Sequence, residues 1–144
     1  MKKLFVRALT VVVILSVHAA PGYAADPTGT WLTQQSDARI KISHCGKGIC
    51  GTIVWLKEPI DRATGKPQVD DKNPDPAKRN RKVIGLRIFA LQPNGTNIWA
   101  GTIYSADDGQ TYEASITVPA AGKLKVRGCA GPLCGSETWT KVGP

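Results

Sequence analysis

Hydrophobic and polar residues alternate in short runs along most of the chain after residue 26. Within residues 38–43, Ile40 and Ile42 alternate with basic and hydroxyl side chains, and residues 111–118 repeat the same period of two. A period of two places alternate side chains on opposite faces of a strand. The pattern therefore predicts antiparallel β-strands rather than helices.

Eight runs of this kind can be distinguished. They lie near residues 29–35, 38–45, 50–57, 83–92, 97–104, 110–118, 122–129 and 134–142. Most connections are tight, as in Pro93-Asn94-Gly95 and Asp107-Asp108-Gly109, which supply residues suited to positive φ. This order predicts an all-β, up-and-down antiparallel meander. Pairing its first strand with its eighth removes the exposed edges, so we predict a small closed eight-stranded barrel.

One connection, residues 57–82, is too long and too polar for a hairpin loop and is rich in Pro, Asp, Asn, Lys and Arg. Asp75 followed by Pro76 fits an N-cap and a first helical position, which predicts a short helical turn over residues 76–81. Long polar loops on rigid scaffolds often carry function.

The N-terminal segment has the pattern of a secretory signal peptide. Lys2 and Lys3 precede a mostly apolar run over residues 4–17, and small residues follow at 22–25. We expect residues 1–24 to be removed, by cleavage after Ala24 or Ala25, leaving residues 25–144 as one β-barrel domain. The uncharged stretch is too short to span a bilayer, and no longer apolar run follows. The prediction is a bacterial periplasmic or secreted protein with no transmembrane span after cleavage.

Removal of this segment changes the charge and the histidine count. The chain has 19 basic and 11 acidic residues, a formal charge of +8, and three of the basic residues precede residue 25. The remaining domain carries about +5 and retains one histidine, His44. A single histidine excludes a histidine-rich metal site and weakens the case for nucleophilic catalysis. The compartment also makes nucleic acid a poor candidate partner.

The four cysteines lie in an internal repeat. Residues 41–55 align with residues 125–139 without a gap, and the Lys, both Cys, one Gly and the Trp coincide. In each copy, four turn-compatible residues separate the two cysteines. In an oxidising compartment this arrangement favours the disulfides Cys45–Cys50 and Cys129–Cys134. Disulfides between the two hairpins, or a zinc site built from all four cysteines, are the alternatives.

Several motifs of the chain resemble one bacterial family. They are Gly29-Thr30-Trp31, residues 45–56, residues 70–85, residues 99–104 leading to Asp108-Gly109 and Tyr112, and residues 124–139. In their order and spacing they resemble the exported family catalogued as domain of unknown function 2147. The resemblance implies a lipocalin-like small β-barrel and no established activity. The Gly-x-Trp motif also resembles the first strand of lipocalins, in which a late basic side chain covers the ring, here Arg127 or Lys141.

The predicted function is binding of a small apolar or amphipathic ligand inside the barrel. We expect aromatic residues to line the site and basic residues to lie near its mouth: Trp55, Trp99, Tyr104, Tyr112 and Trp139, with Arg79 and Arg81. Guanidinium groups there would bind an anionic head group. Alternation puts Trp139 on one face with Glu137. Either the barrel interior is partly polar, or Trp139 packs outside against the long loop.

Other hypotheses remain open at this point. A filled barrel would act as a cell-envelope protein-interaction module through its outer face and residues 57–82. An envelope enzyme would require a carboxylate pair, for which Glu113 and Glu137 are the candidates. We predict no cofactor and a monomer.

Asp71, Asn73 and Asp75 place oxygen-bearing side chains at alternate positions, as at the start of a calcium loop. The flanking prolines and the missing bidentate Glu favour turn and cap roles for these residues instead.

Overall fold

The computed structural model describes residues 25–144, so the predicted signal peptide, residues 1–24, lies outside the described residues. The strands are β1 (Gly29–Leu32), β2 (Ala38–Cys45), β3 (Gly48–Leu56), β4 (Arg87–Pro93), β5 (Ile98–Ser105), β6 (Gln110–Ala120), β7 (Lys123–Ala130) and β8 (Leu133–Gly143). Each strand pairs with the next, and β1 pairs with β8, all antiparallel. The predicted closed up-and-down barrel is confirmed.

The boundaries of β4 and of the helical turn differ from those predicted. β4 begins at Arg87 rather than near residue 83, because Gly85 adopts a φ of 98° and turns the chain just before the strand. The helical turn is a short 3-10 turn, Pro76–Lys78, and Asp75 is its N-cap, accepting a hydrogen bond from the backbone of Ala77. Residues 57–86 therefore form the β3–β4 loop, here called the long loop.

The meander gives the barrel two different ends. The β2–β3, β4–β5 and β6–β7 turns lie at one end, the closed end, together with the start of β1 and the end of β8. The other four connections, including the long loop, lie at the open end. Cys45–Cys50 joins β2 to β3 at the closed end, and Cys129–Cys134 joins β7 to β8 at the open end. Both predicted disulfides are confirmed, and they hold opposite ends of the barrel.

Large apolar side chains fill the closed end. Six of them are fully buried: Trp31, Ile42, Ile49, Leu91, Ile116 and Leu124. The indole Nε1 of Trp31 donates a hydrogen bond to the carbonyl of Pro27, and the amino group of Lys141 lies 5.7 Å from the Trp31 ring centroid. Lys141, rather than Arg127, therefore covers this ring, because Arg127 lies exposed on β7 beside the core residue Val126.

Gly51 allows the core to pack closely in the wall between β3 and β4. It lies opposite Phe89, and a Cβ atom at Gly51 would come within 2.2 Å of the Phe89 ring. Phe89 is only 3% exposed and packs within the core, so its ring has little freedom to move away.

Gly51→Ala is therefore expected to lower the free energy of unfolding by about 1–3 kcal/mol, because the added methyl group overpacks the core. Gly135→Ala is the matched control, since a Cβ atom there has no other atom within 4 Å. Urea denaturation of both variants measures the difference. Equal midpoints for the two variants would contradict this account of the core.

Candidate functional site

A cavity of about 520 Å³ opens among the strand ends and loops of the open end. Its apolar wall is formed by Ile40, Ile53, Leu56, Val83, Ile88 and Trp139. Its polar rim includes Thr33, Gln35, Asp37, Lys57, Glu58, Gln68, Ser105, Asp107 and Glu137. The long loop contributes Val83, Gln68 and Glu58 to this lining. The open end is thus concave. A further cavity, of about 470 Å³, lies at the closed end, where Trp31, Lys141 and residues 118–122 line it.

Trp139 and Glu137 both project into the barrel from β8. Trp139 pairs with the fully buried Leu124, and Glu137 pairs with the buried Val126. Trp139 is 4% exposed, and its indole Nε1 donates a hydrogen bond to Glu137 Oε2 at 2.9 Å. The interior is therefore partly polar, which was the first of the two alternatives.

A second cavity, of about 470 Å³, lies beside the first. The two cavities share Gln35, Glu137 and Trp139 in their linings, and Tyr112 contributes to the second one. The Glu137 and Trp139 side chains therefore lie between two concave regions of the same barrel end.

Glu113 does not join Glu137 in this site. It is exposed on β6, and its neighbours Tyr112 and Ala114 are the residues that face inward. The two glutamates therefore lie on opposite sides of the barrel wall, and they do not form the carboxylate pair that hydrolysis would require.

A buried carboxylate, that of Asp70, attaches the long loop to the barrel. Asp70 is 0% exposed. Its Oδ1 accepts a hydrogen bond from the Tyr104 hydroxyl at 2.5 Å, and its Oδ2 accepts from Asn73 Nδ2 and Arg81 Nη2, both at 2.8 Å. Tyr104 lies on β5 and the other three residues lie in the loop. The carboxylate thus joins the middle of the loop, residues 70–73, to its later part at Arg81 and to the barrel wall.

These contacts also set the pKa of Asp70. Burial by itself would raise this pKa, but the hydrogen bonds from Tyr104, Arg81 and Asn73, together with the Arg81 charge, hold it below its ordinary value. Burial and the adjacent Asp70 carboxylate raise the pKa of Tyr104. At neutral pH, Asp70 is therefore an ionised acceptor and Tyr104 a neutral donor.

The two arginines predicted at the mouth lie in this same loop structure. Arg81 forms the ion pair with Asp70, and Arg79 donates from Nε to the carbonyl of Asn73 at 2.7 Å. Neither arginine lines the open-end cavity. Their guanidinium groups hold the loop in place beside the cavity.

The five predicted aromatic residues are distributed over several environments. Trp139 and Tyr104 line the open-end cavity, and Tyr112 lines the second cavity and donates a hydrogen bond to Asp108. Trp99 packs against the core. Trp55 lies under the guanidinium group of Arg39, 4.7 Å from its ring centroid, and lines neither cavity.

Two of the three residues of the calcium pattern, Asn73 and Asp75, use their side-chain oxygens in contacts with neighbouring protein groups. Asn73 Oδ1 accepts from the backbone of Asp75, and Asp75 accepts from Ala77 and pairs with Lys78. Asp71 is exposed. Within residues 25–144, no three His, Cys, Asp or Glu side chains are grouped so as to hold a metal ion.

Sequence reasoning did not identify the aliphatic wall of the cavity or the role of Asp70. The wall could have been predicted from the strand order, because an up-and-down barrel places the end of β3 and the starts of β2 and β4 at the same end. Asp70 had none, since its contact with Tyr104 spans 34 residues of chain.

The closed eight-stranded barrel with a cavity at one end defines a lipocalin-like protein. The chain is similar in structure to protein HP1028 from the human pathogen Helicobacter pylori, which is described as belonging to the lipocalin family. The TM-score of this match is 0.68 and the sequence identity is 20%. The match covers 82% of this chain and 84% of the other chain. At this identity the likeness shows the fold.

The chain belongs to the family described as an uncharacterized protein conserved in bacteria, DUF2147, whose model matches residues 29–141. The predicted family is thereby confirmed. No curated protein matches the chain. Within residues 25–144, no helix has the length and apolar character needed to cross a membrane.

Asp70→Asn is expected to lower the free energy of unfolding at pH 7 by about 2–4 kcal/mol, because it removes a buried charged acceptor from three donors. The folded-state pKa of Asp70 lies below its ordinary value, so its stabilising contribution is present at neutral pH. That contribution starts to decrease as the pH falls below about 4 and is lost as the pH passes through the lower folded-state pKa. The variant should therefore show a weaker acid dependence than the wild type in urea titrations at pH 7 and pH 3.5.

The neighbouring exposed residue supplies the control for this measurement. Asp71→Asn removes the same charge from the loop without touching the buried contacts, and it should change stability by no more than about 0.5 kcal/mol. If both variants lost equal stability, the effect would reflect net charge and not attachment of the loop.

Proposed function

We propose that this protein is exported to the bacterial periplasm and binds a small apolar or amphipathic ligand in the open-end cavity. The observation that carries the proposal is the cavity itself, about 520 Å³ in volume, with an aliphatic and indole wall below a polar rim. Ligand pockets of folded proteins typically have volumes of about 300–1,000 Å³. The lining here is polar and apolar in about equal shares, which suits an amphipathic molecule.

The division of the barrel into two ends supports entry from one side. The buried core around Trp31 fills the barrel interior towards the closed end, and the cavity at that end shares no lining residue with the open-end cavity. An apolar ligand chain would therefore enter past the long loop and pack against Ile40, Ile53 and Ile88, while its polar group stayed at the rim. A barrel filled at both ends would have favoured the protein-interaction module instead.

Export is supported by the family and by the cysteines. The family is bacterial, and the two disulfides fit an oxidising, extracytoplasmic compartment. Native mass spectrometry of the protein purified separately from the periplasmic and the cytoplasmic fractions of its own cells tests both parts of the proposal. We expect the mature chain with a co-purifying small molecule. A retained N-terminal segment would argue against export with cleavage, and a clean apo mass against a carried ligand.

Ala106→Phe is expected to weaken binding of an apolar fluorescent probe about tenfold or more, because the added ring occupies the cavity that Ala106 lines. Ala90→Phe adds the same ring on an exposed position of β4 and should leave binding unchanged. Titration of both variants with the uncharged probe N-phenyl-1-naphthylamine, and with decanol as competitor, gives the affinities. Equal affinities would place the binding site outside this cavity.

A further inference from the structure

The charge of the open-end cavity is opposite to that of the domain around it. The domain without its first 24 residues has an excess of basic residues, yet the charged side chains that line this cavity are Asp37, Glu58, Asp107, Glu137 and Lys57. Glu58 is neutralised by its ion pair with Arg62. Three acidic groups and one basic group remain in the lining, and the Lys72 ammonium group donates a hydrogen bond to the Asp107 carbonyl at the rim. Acidic groups therefore still outnumber basic ones around the cavity, three to two, in a protein that is basic overall.

Glu137 is the acidic group that lies deepest, since it projects from the inner face of β8 next to the buried Trp139. The indole hydrogen bond to Oε2 fixes the orientation of the carboxylate and leaves Oε1 for another donor. Among residues 25–144, Glu137 takes part in no ion pair. A half-buried carboxylate without a cation loses hydration that a cationic ligand group would replace.

Trp139 is a second feature of the cavity that favours a positively charged ligand group. Its indole borders the same cavity although only 4% of the residue is exposed, and indole rings attract cations, including quaternary ammonium groups, within about 6 Å. The arginines that would have favoured an anion are bonded to Asp70 and Asn73 in the loop. The lining therefore favours a cation and disfavours a carboxylate or phosphate.

We infer that the open-end cavity selects amphipathic ligands with a cationic, ammonium-type head group, with Glu137 as the counter-charge and Trp139 as the aromatic wall. The inference rests on the proposed ligand-binding function and assigns its ligand class. It reverses the expectation from the sequence that Arg79 and Arg81 bind an anionic head group.

Three probes with the same ten-carbon chain test the inference: decyltrimethylammonium, decanol and decanoate, each below its micellar concentration. Calorimetric titration of the wild-type protein at low salt should give an affinity for the ammonium probe about tenfold higher than that for decanoate. The preference should decrease as salt is added, because the rim is open to solvent.

Glu137→Gln is the decisive variant, because glutamine keeps the size of the side chain and an oxygen that accepts the Trp139 hydrogen bond while it removes the charge. Ammonium binding should fall about tenfold, and decanol binding should stay the same. Glu113→Gln removes an equal charge from the outer surface and should change neither affinity.

The outcomes separate the two proposals. Decanoate binding as tight as ammonium binding in the wild type, or an equal effect of the Glu113 variant, would overturn the head-group inference but leave ligand binding intact. Failure of all three probes to bind would overturn ligand binding and the inference with it. The wild-type comparison needs no variant, so poor folding of Glu137→Gln would not prevent the test.

Discussion

Closure of the barrel by pairing of β1 with β8 is the constraint on which the other features depend. Once the sheet is closed, a strand side chain points either inside or outside, and the period of two decides which except at bulges, such as the one between β3 and β4 where Ile88 and Phe89 are both buried. The bulky inward residues near Trp31 fill one end. At the other end the inward residues and the long loop leave space between them, so one closed sheet provides both a core and a cavity.

The long loop needs a polar anchor because it has few apolar side chains to bury. Among residues 57–86, Val83 and Leu86 reach the core, while most others are exposed. Asp70 supplies the anchor. Burying a carboxylate costs free energy, and three donors, one of them charged, offset that cost. The segment that carries much of the family resemblance, residues 70–85, is therefore the segment that fixes the loop beside the cavity.

The parts of the fold that the sequence predicts are those set by local physics. Strand positions follow from alternation, turns from Gly and Asn, and the two disulfides from cysteines that face each other across a hairpin, as Cys129 and Cys134 do. The candidate site is less predictable because it joins distant segments. The sequence of a basic run does not indicate whether its side chains face solvent, bind a ligand or pair with an acidic residue. The ion pair between Arg81 and Asp70 forms only in the folded chain. For Glu137, alternation predicts that its side chain lies on the same face of β8 as Trp139, but it does not predict whether that face is the inside or the outside of the barrel.

The position of Glu137 and Trp139 on β8 also explains how a partly polar interior stays ordered. The Cys129–Cys134 disulfide ties β7 to β8 only three residues before Glu137, and further along β8, Lys141 covers Trp31. A disulfide that closes a loop this short stabilises the fold modestly, by about 2 kcal/mol or less, so the main effect of the disulfide is to hold the two strands in register.

A fixed register keeps Glu137 and Trp139 inside the barrel. The indole N–H satisfies one oxygen of this carboxylate, and the other oxygen is not buried, so that either solvent or a ligand group can donate to it. The remaining oxygen is the feature by which this barrel differs from a simple apolar container.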